Sequence, residues 1–297
     1  MKASRLHTLP LAVCGILLGN MAAAYHHIFS WPVLIFSLLT AVLYQVISNF
    51  ANDYGDFVHG ADSEERKGPE RMVQSGAITK EEMKVGIIIT SIIAVFSTAV
   101  LLWLSFPVIG WTGLSILFAL GILSIIAAIT YTASSNPYGY RGFGDLAVFL
   151  FFGLLAVMGS YYLHSGVLNI FILLLAITFG LFSAAVLNVN NLRDLHSDKE
   201  AGKLTLAVHF GPTGGKLYHS FLILTGAAFF IYFVAAFFSW VWVIAALAFL
   251  LPAFYNLLVI WKIDAGEGLA PCLKQMVLAC ISYAAGAILV MLQGVTS

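Results

Sequence analysis

The sequence predicts an all-α, polytopic membrane protein with about nine transmembrane helices, and three observations predict it. Of 297 residues, 61% are hydrophobic and only 9% charged, where an ordinary soluble chain is about 25% charged. Mean hydropathy is +0.95. Apolar stretches without a single Lys, Arg, Asp or Glu alternate with short charged connections, and about 20 apolar residues suffice to cross a bilayer as helix. Charges of the two signs balance at 14 each, which gives no case for nucleic acid as a partner. The length allows a single transmembrane domain over residues 1–297 and leaves no room for a soluble appendage.

The elements follow in order. Leu9–His26 fits one span. Lys2, Arg5 and the small residues Met21–Ala24 also fit a signal peptide, but a chain that stays in the membrane afterwards needs no cleavage, and a first helix is the better reading. Trp31–Asn49 is a second span whose helix runs on through Asp56, and a polar stretch follows from Asn52 to Lys84. Val85–Tyr131 is too long for one span, and Ser105-Phe106-Pro107 suits a turn between two helices. Thr132–Gly144 is a turn-rich loop; Asp145–Asn190 holds two spans split at His164-Ser165-Gly166. A second polar segment, Asn191–Gly215, leads to two spans in Leu217–Trp261 that turn near Ser239-Trp240. Lys262–Pro271 is a short polar loop before the last span, Cys272–Gln293. Cys14, Cys272 and Cys280 lie in or beside apolar runs without ligand spacing, as packing residues do.

Charge tests this count. Alternate connections carry Lys2 and Arg5, then Arg66 to Lys84, then Arg141, then Arg193 to Lys216, then Lys262 and Lys274. That accounts for every Lys and Arg, and the acids follow the same partition. By the positive-inside rule the N-terminus and the charged loops face the cytoplasm, as expected of a multi-pass protein of the cytoplasmic (inner) membrane.

Two clusters stand out on that charged side, NFANDYGDFVHGAD (Asn49–Asp62) and NNLRDLHSDKEAGKLT (Asn190–Thr205). Read as helix, Asn49, Asp53 and Asp56 fall at i, i+4 and i+7; Asn191, Asp194 and Asp198 fall at i, i+3 and i+7. Each set then shares one face. Carboxylates gathered at a membrane boundary need a positive partner, and hard oxygen donors with open positions suit Mg²⁺ that also binds substrate phosphate. Solvated loop acids are the ordinary alternative, and it suffices for Glu64, Glu65, Glu70, Glu81 and Glu82. Arg71, Arg193 and Lys203 are candidates to meet phosphate oxygens. Asn49, Asn52 and Asn191 are candidates to ligate metal or orient an Asp, and GPERMVQSG (Gly68–Gly76) could wrap a diphosphate. No nucleotide P-loop pattern is present.

At these residues the chain resembles the UbiA-type intramembrane prenyltransferases, an all-helical nine-span family with two Asp-rich motifs. The first, roughly N-D-x-x-D-x-x-x-D, is matched by Asn52, Asp53 and Asp56; its third Asp falls on Gly60, and Asp62 stands two residues on. The second, D-x-x-x-D, is matched by Asp194 and Asp198. RLHTLPLAVCGILLG, GPERMVQSGAIT and YTASSNPYGYRGFGDLAVFLFFG extend the likeness in the expected order. Arg141 stands where relatives are expected to be apolar.

The resemblance implies Mg²⁺-dependent transfer of a polyprenyl chain from polyprenyl diphosphate to an aromatic acid acceptor. It favours 1,4-dihydroxy-2-naphthoate of menaquinone synthesis, with loss of CO₂ and pyrophosphate; 4-hydroxybenzoate is the alternative acceptor. Metal would be held by Asp53, Asp56, Asp62, Asp194, Asp198 and Asn191. The allylic cation would be faced by Tyr131, Tyr138 or Tyr140, with the isoprenoid tail among membrane lipid. Asp145 could bind the acceptor hydroxyl or serve as the acid at a helix N-terminus. A cation-coupled transporter is the competing class, although its coupling sites normally lie near mid-bilayer rather than at one interface.

Overall fold

The computed structural model describes residues 8–60 and 71–295. Within them the chain is helical: α1 (Leu9–Tyr25), α2 (Trp31–Val58), α3 (Lys80–Thr130), α4 (Gly144–Val148), α5 (Ser160–Ser165), α6 (Ile170–Arg193), α7 (Leu195–Glu200), α8 (Leu206–Phe237), α9 (Trp240–Ile260) and α10 (Ala270–Val295). A π-helical stretch, Phe149–Gly159, joins α4 to α5 in one rod, Gly144–Ser165. Seven helices are long and apolar enough to cross a membrane. One of these is α3, which folds back on itself, and α1 adds a shorter apolar helix. Nine apolar helical segments result among the described residues, and the protein is a multi-pass membrane protein.

Local chemistry sets the ends. Thr79 and Glu82 form a reciprocal capping box at the start of α3. Asn169 accepts from the Phe171 amide at 2.9 Å to open α6. Ser239 precedes α9, and Gly166 closes the Gly144–Ser165 rod, both where the sequence places a turn. The break in α3 is a correction: the helix runs through Ser105-Phe106-Pro107 and breaks at Gly110 (φ 60°, ψ −172°). Pro107 removes only one N–H, whereas a left-handed φ is open chiefly to glycine. The two limbs pack together, since a Cβ on Gly121 would lie 3.2 Å from the Thr98 methyl.

The main core is built from α1, α6, α8 and α10 around Leu18, Phe179, Phe182, Phe230 and Tyr283, all fully buried. The N-terminal helix is thus an internal part of the bundle. All three cysteines are buried. A second core, Ile47, Ala51, Met72, Val73, Met83 and Ile87, pins the segment after Arg71 against α2 and α3. That apolar anchor is what brings Arg71 to the tip of α2.

Candidate active site

The first acidic cluster rides on an unbroken helix. Asn49, Asp53 and Asp56 are 3%, 1% and 3% exposed on α2. They point to different tasks, because Asp53 and Asp56 lie about 60° apart around the helix. Asp53 accepts the backbone N–H groups of Met72 and Val73, each at 3.1 Å, and so clasps the segment that carries Arg71. The Asn49 amide donates to the Thr8 hydroxyl at 3.0 Å. Asn52 and Asp56 instead line a polar cavity of about 120 Å³.

The second cluster corrects an expectation. It is not one helix: α6 ends at Arg193, Asp194 leaves helical geometry (φ −93°, ψ 11°), and α7 begins at Leu195. The bend still leaves Asn190, Asn191, Asp194 and Asp198 on the wall of the same cavity. Arg193 folds back on its neighbour, donating from Nε and Nη2 to the Asp194 carboxylate at 2.7 and 2.6 Å and from Nη2 to Asn190 at 2.9 Å.

Three side chains converge on Asp56. Arg71 ion-pairs with Oδ2 and reaches the Asn52 carbonyl at 2.7 Å. The Tyr140 hydroxyl donates to Oδ1 at 2.6 Å. Lys203 Nζ donates to the same Oδ1 at 3.0 Å, lies 3.8 Å from Asp198, and sits 4.7 Å above the Tyr140 ring. Lys203 therefore ties one acidic cluster to the other. Its backbone is aimed by Gly202, which takes φ 71° just after α7, while the Lys203 amide returns to the Asp198 carbonyl at 2.8 Å.

Beneath lies a larger, mainly apolar cavity of about 350 Å³ between α1, α2, both limbs of α3 and the Gly144–Ser165 rod. Tyr131 and Leu187 line both cavities. Burial, and secondarily Asp145, holds the Tyr131 phenol far above the usual tyrosine range; burial pushes Tyr138 up to about 12. Both stay neutral, so they offer a ring face and a hydroxyl but no base.

Asp145 is 4% exposed and is the acid in the first turn of α4. It accepts from the Tyr218 hydroxyl, and its Oδ1 has no partner. It borders neither cavity. Asp62, Arg66 and Lys67 fall outside the described residues. Arg141 is exposed. The sequence reading missed Asn190, Thr132 and Leu187: Thr132 donates to Asn52 at 3.0 Å, and a Leu in an apolar helix carries no signal of its place in a wall.

The donor set fits a hard divalent ion. Three carboxylates and three side-chain amides face one small space, and they are all oxygen donors of the kind Mg²⁺ takes. Among the described residues, no three of His, Cys, Asp and Glu close on a single point as a finished cage. An ion that brings phosphate oxygens with it needs only one or two carboxylates.

An acid-and-base-lined chamber set on a hydrocarbon-lined one, inside a helical membrane bundle, suits a substrate with a charged head and an apolar tail. The sequence model of the UbiA prenyltransferase family matches residues 12–281, and the chain belongs to that family. It is 43% identical over 281 residues, 93% of this chain and 89% of the relative, to 1,4-dihydroxy-2-naphthoate octaprenyltransferase of Haemophilus influenzae. Its fold is that of the UbiA homologue from Aeropyrum pernix, in its apo form, with a TM-score of 0.73 at 18% identity, covering 96% of this chain and 98% of that one. The UbiA homologue from Archaeoglobus fulgidus bound to GPP and Mg²⁺ matches with a TM-score of 0.67 at 17% identity over 98% and 99% of the two chains.

Proposed function

We propose that the protein transfers a polyprenyl group from polyprenyl diphosphate to 1,4-dihydroxy-2-naphthoate, releasing CO₂ and pyrophosphate, in menaquinone synthesis. The names of the relatives support the acceptor, and the Mg²⁺ and GPP of the A. fulgidus homologue support a metal and an allylic diphosphate. The observation that carries the reading is the shared wall: a charged cavity with both Asp clusters abuts an apolar one at Tyr131 and Leu187. A substrate with an anionic head and a hydrocarbon tail needs that pairing.

In this reading Asp56, Asp194 and Asp198 hold Mg²⁺, assisted by Asn52 and Asn191, and the ion supplies Lewis-acid stabilisation to the leaving diphosphate. Arg71 and Lys203 meet the remaining phosphate charge, and Arg193 holds Asp194 in place. Asp53 and Asn49 brace the frame, with Asp53 fixing the Arg71 segment. The allylic C–O bond breaks with its electron pair going to diphosphate. The electron-poor prenyl carbon is left against the faces of Tyr131 and Tyr140, where an aromatic ring contributes about 0.5–2 kcal/mol. The acceptor ring supplies the electron pair of the new C–C bond and loses its carboxyl group as CO₂. The tail lies in the apolar cavity and the surrounding lipid. A single domain over 1–297 in the cytoplasmic membrane, active side facing the cytoplasm, accords with the charge partition.

The test is an assay of purified protein with a polyprenyl diphosphate, Mg²⁺ and a panel of aromatic acids, following product by mass. Prenylated naphthoquinol as the main product supports the reading. Preferential prenylation of 4-hydroxybenzoate, or no prenylated product, overturns it.

A further inference from the structure

Both carboxylate oxygens of Asp56, a candidate metal ligand, already face cations. Its Oδ2 is taken by Arg71; its Oδ1 accepts both Tyr140 and Lys203. The Lys203 ammonium also lies within 3.8 Å of Asp198, so it sits between the clusters, where an ion shared by them would sit. Only 14% of its side chain is exposed, and little water screens it. Among the described residues around this cavity, the carboxylates Asp56, Asp194 and Asp198 are matched by the cations Arg71, Arg193 and Lys203. These pairs offset one another among the described residues, which weakens their pull on a bare divalent cation, and Mg²⁺ dehydrates reluctantly.

We propose that Lys203 is an internal counter-ion that occupies the inter-cluster position in the substrate-free protein and makes cation binding conditional on diphosphate. This rests on the metal-and-diphosphate reading above. A diphosphate entering the cavity gives the ammonium a more highly charged partner; Lys203 leaves Asp56 and Asp198 for phosphate oxygens, and the two carboxylates become available to the ion that arrives with the substrate. Lysine suits the task, because its compact point charge on a flexible four-carbon stem can change partners, whereas the Arg71 fork is fixed on two. The Tyr140 ring beneath Nζ and the Gly202 turn keep the stem aimed at both partners.

The test is Mn²⁺ binding to purified protein, read from the spin-resonance signal of free Mn²⁺, with and without geranyl diphosphate; no turnover is required. Wild type should bind Mn²⁺ alone weakly and at least tenfold more tightly with the diphosphate. In Lys203→Met the affinity for Mn²⁺ alone should rise about tenfold or more, and the gain from diphosphate should shrink. Lys203→Arg, which keeps the charge, should behave as wild type in Mn²⁺ binding alone. A melting curve for each variant establishes that it is folded. Mn²⁺ affinity in folded Lys203→Met equal to or below that of wild type overturns the proposal, while ternary binding would leave the functional reading standing. Absence of Mn²⁺ binding in every protein, even with diphosphate, overturns both.

Discussion

The two acidic clusters do the same kind of work from opposite mechanical footings. The α2 cluster sits on a helix that stays intact past its last acid, and Asp53 and Asp56 are almost sealed from solvent. Its partners arrive from distant segments: Arg71, Tyr140 and Lys203 on Asp56, and the Met72 and Val73 amides on Asp53. The α6–α7 cluster sits on a bend. The Asp194 and Asp198 side chains are 14% and 13% exposed, and Asp194 takes its charge partner from the adjacent residue. One cluster is therefore part of what holds the charged end of the bundle together. The other draws its charge partners from its own stretch of chain, Arg193 for Asp194 and Lys203 for Asp198.

Substitution of the acids is the strongest way to break this contrast. Asp56→Ala and Asp194→Ala should each lower turnover by more than about 100-fold, at or beyond the range for residues that only support a metal ligand. Only Asp56→Ala should also unfold readily, since removing one partner of a buried ion pair costs about 3–5 kcal/mol. Equal melting temperatures for the two variants would erase the distinction. Chelation comes next: EDTA should stop turnover and excess Mg²⁺ restore it. Turnover indifferent to chelator removes the metal from both clusters at once. The arginines sharpen the comparison further. Arg71→Ala strips a buried carboxylate of its fork and should lower both melting temperature and turnover, and Arg71→Lys should not restore the second contact. Arg193→Ala removes the bidentate partner of an acid whose side chain is 14% exposed, and should cost less stability than Arg71→Ala, whose carboxylate partner is 4% exposed. Tyr140→Phe is the most local: it deletes one of the donors to Asp56, worth about 1.5 kcal/mol. A loss of turnover as large as that of Asp56→Ala would give Tyr140 a role beyond that hydrogen bond.

Much of this was legible because membrane helices announce themselves. The turns at Gly166 and Ser239 fall where hydropathy drops, and the charged connections alternate as a nine-segment chain requires. The pairing of the two Asp clusters was legible from composition, because five of the seven Asp residues fall within them. Which acid faces which way was not. Asp53 and Asp56 are three residues apart and look equivalent in sequence, yet in the segment Arg71–Val73 the backbone amides of Met72 and Val73 take Asp53 while the Arg71 side chain takes Asp56. The break in α3 was placed at Pro107 because proline is the louder signal. Gly110 holds the break because the chain there needs a positive φ that proline cannot supply. Asp194 was read into a continuous helix because the i, i+3, i+7 spacing survives a single bent residue without leaving a trace in the sequence.

In the proposed reaction Tyr131 and Leu187, standing where the wet chamber meets the dry one, would govern fidelity. A prenyl cation born at that threshold can be captured by the aromatic ring or by a stray water molecule, and the second route wastes the chain as an alcohol. In that reaction the width of this collar would set how much substrate is squandered. Trimming Leu187 to alanine should reveal itself first as free prenol accumulating beside the product.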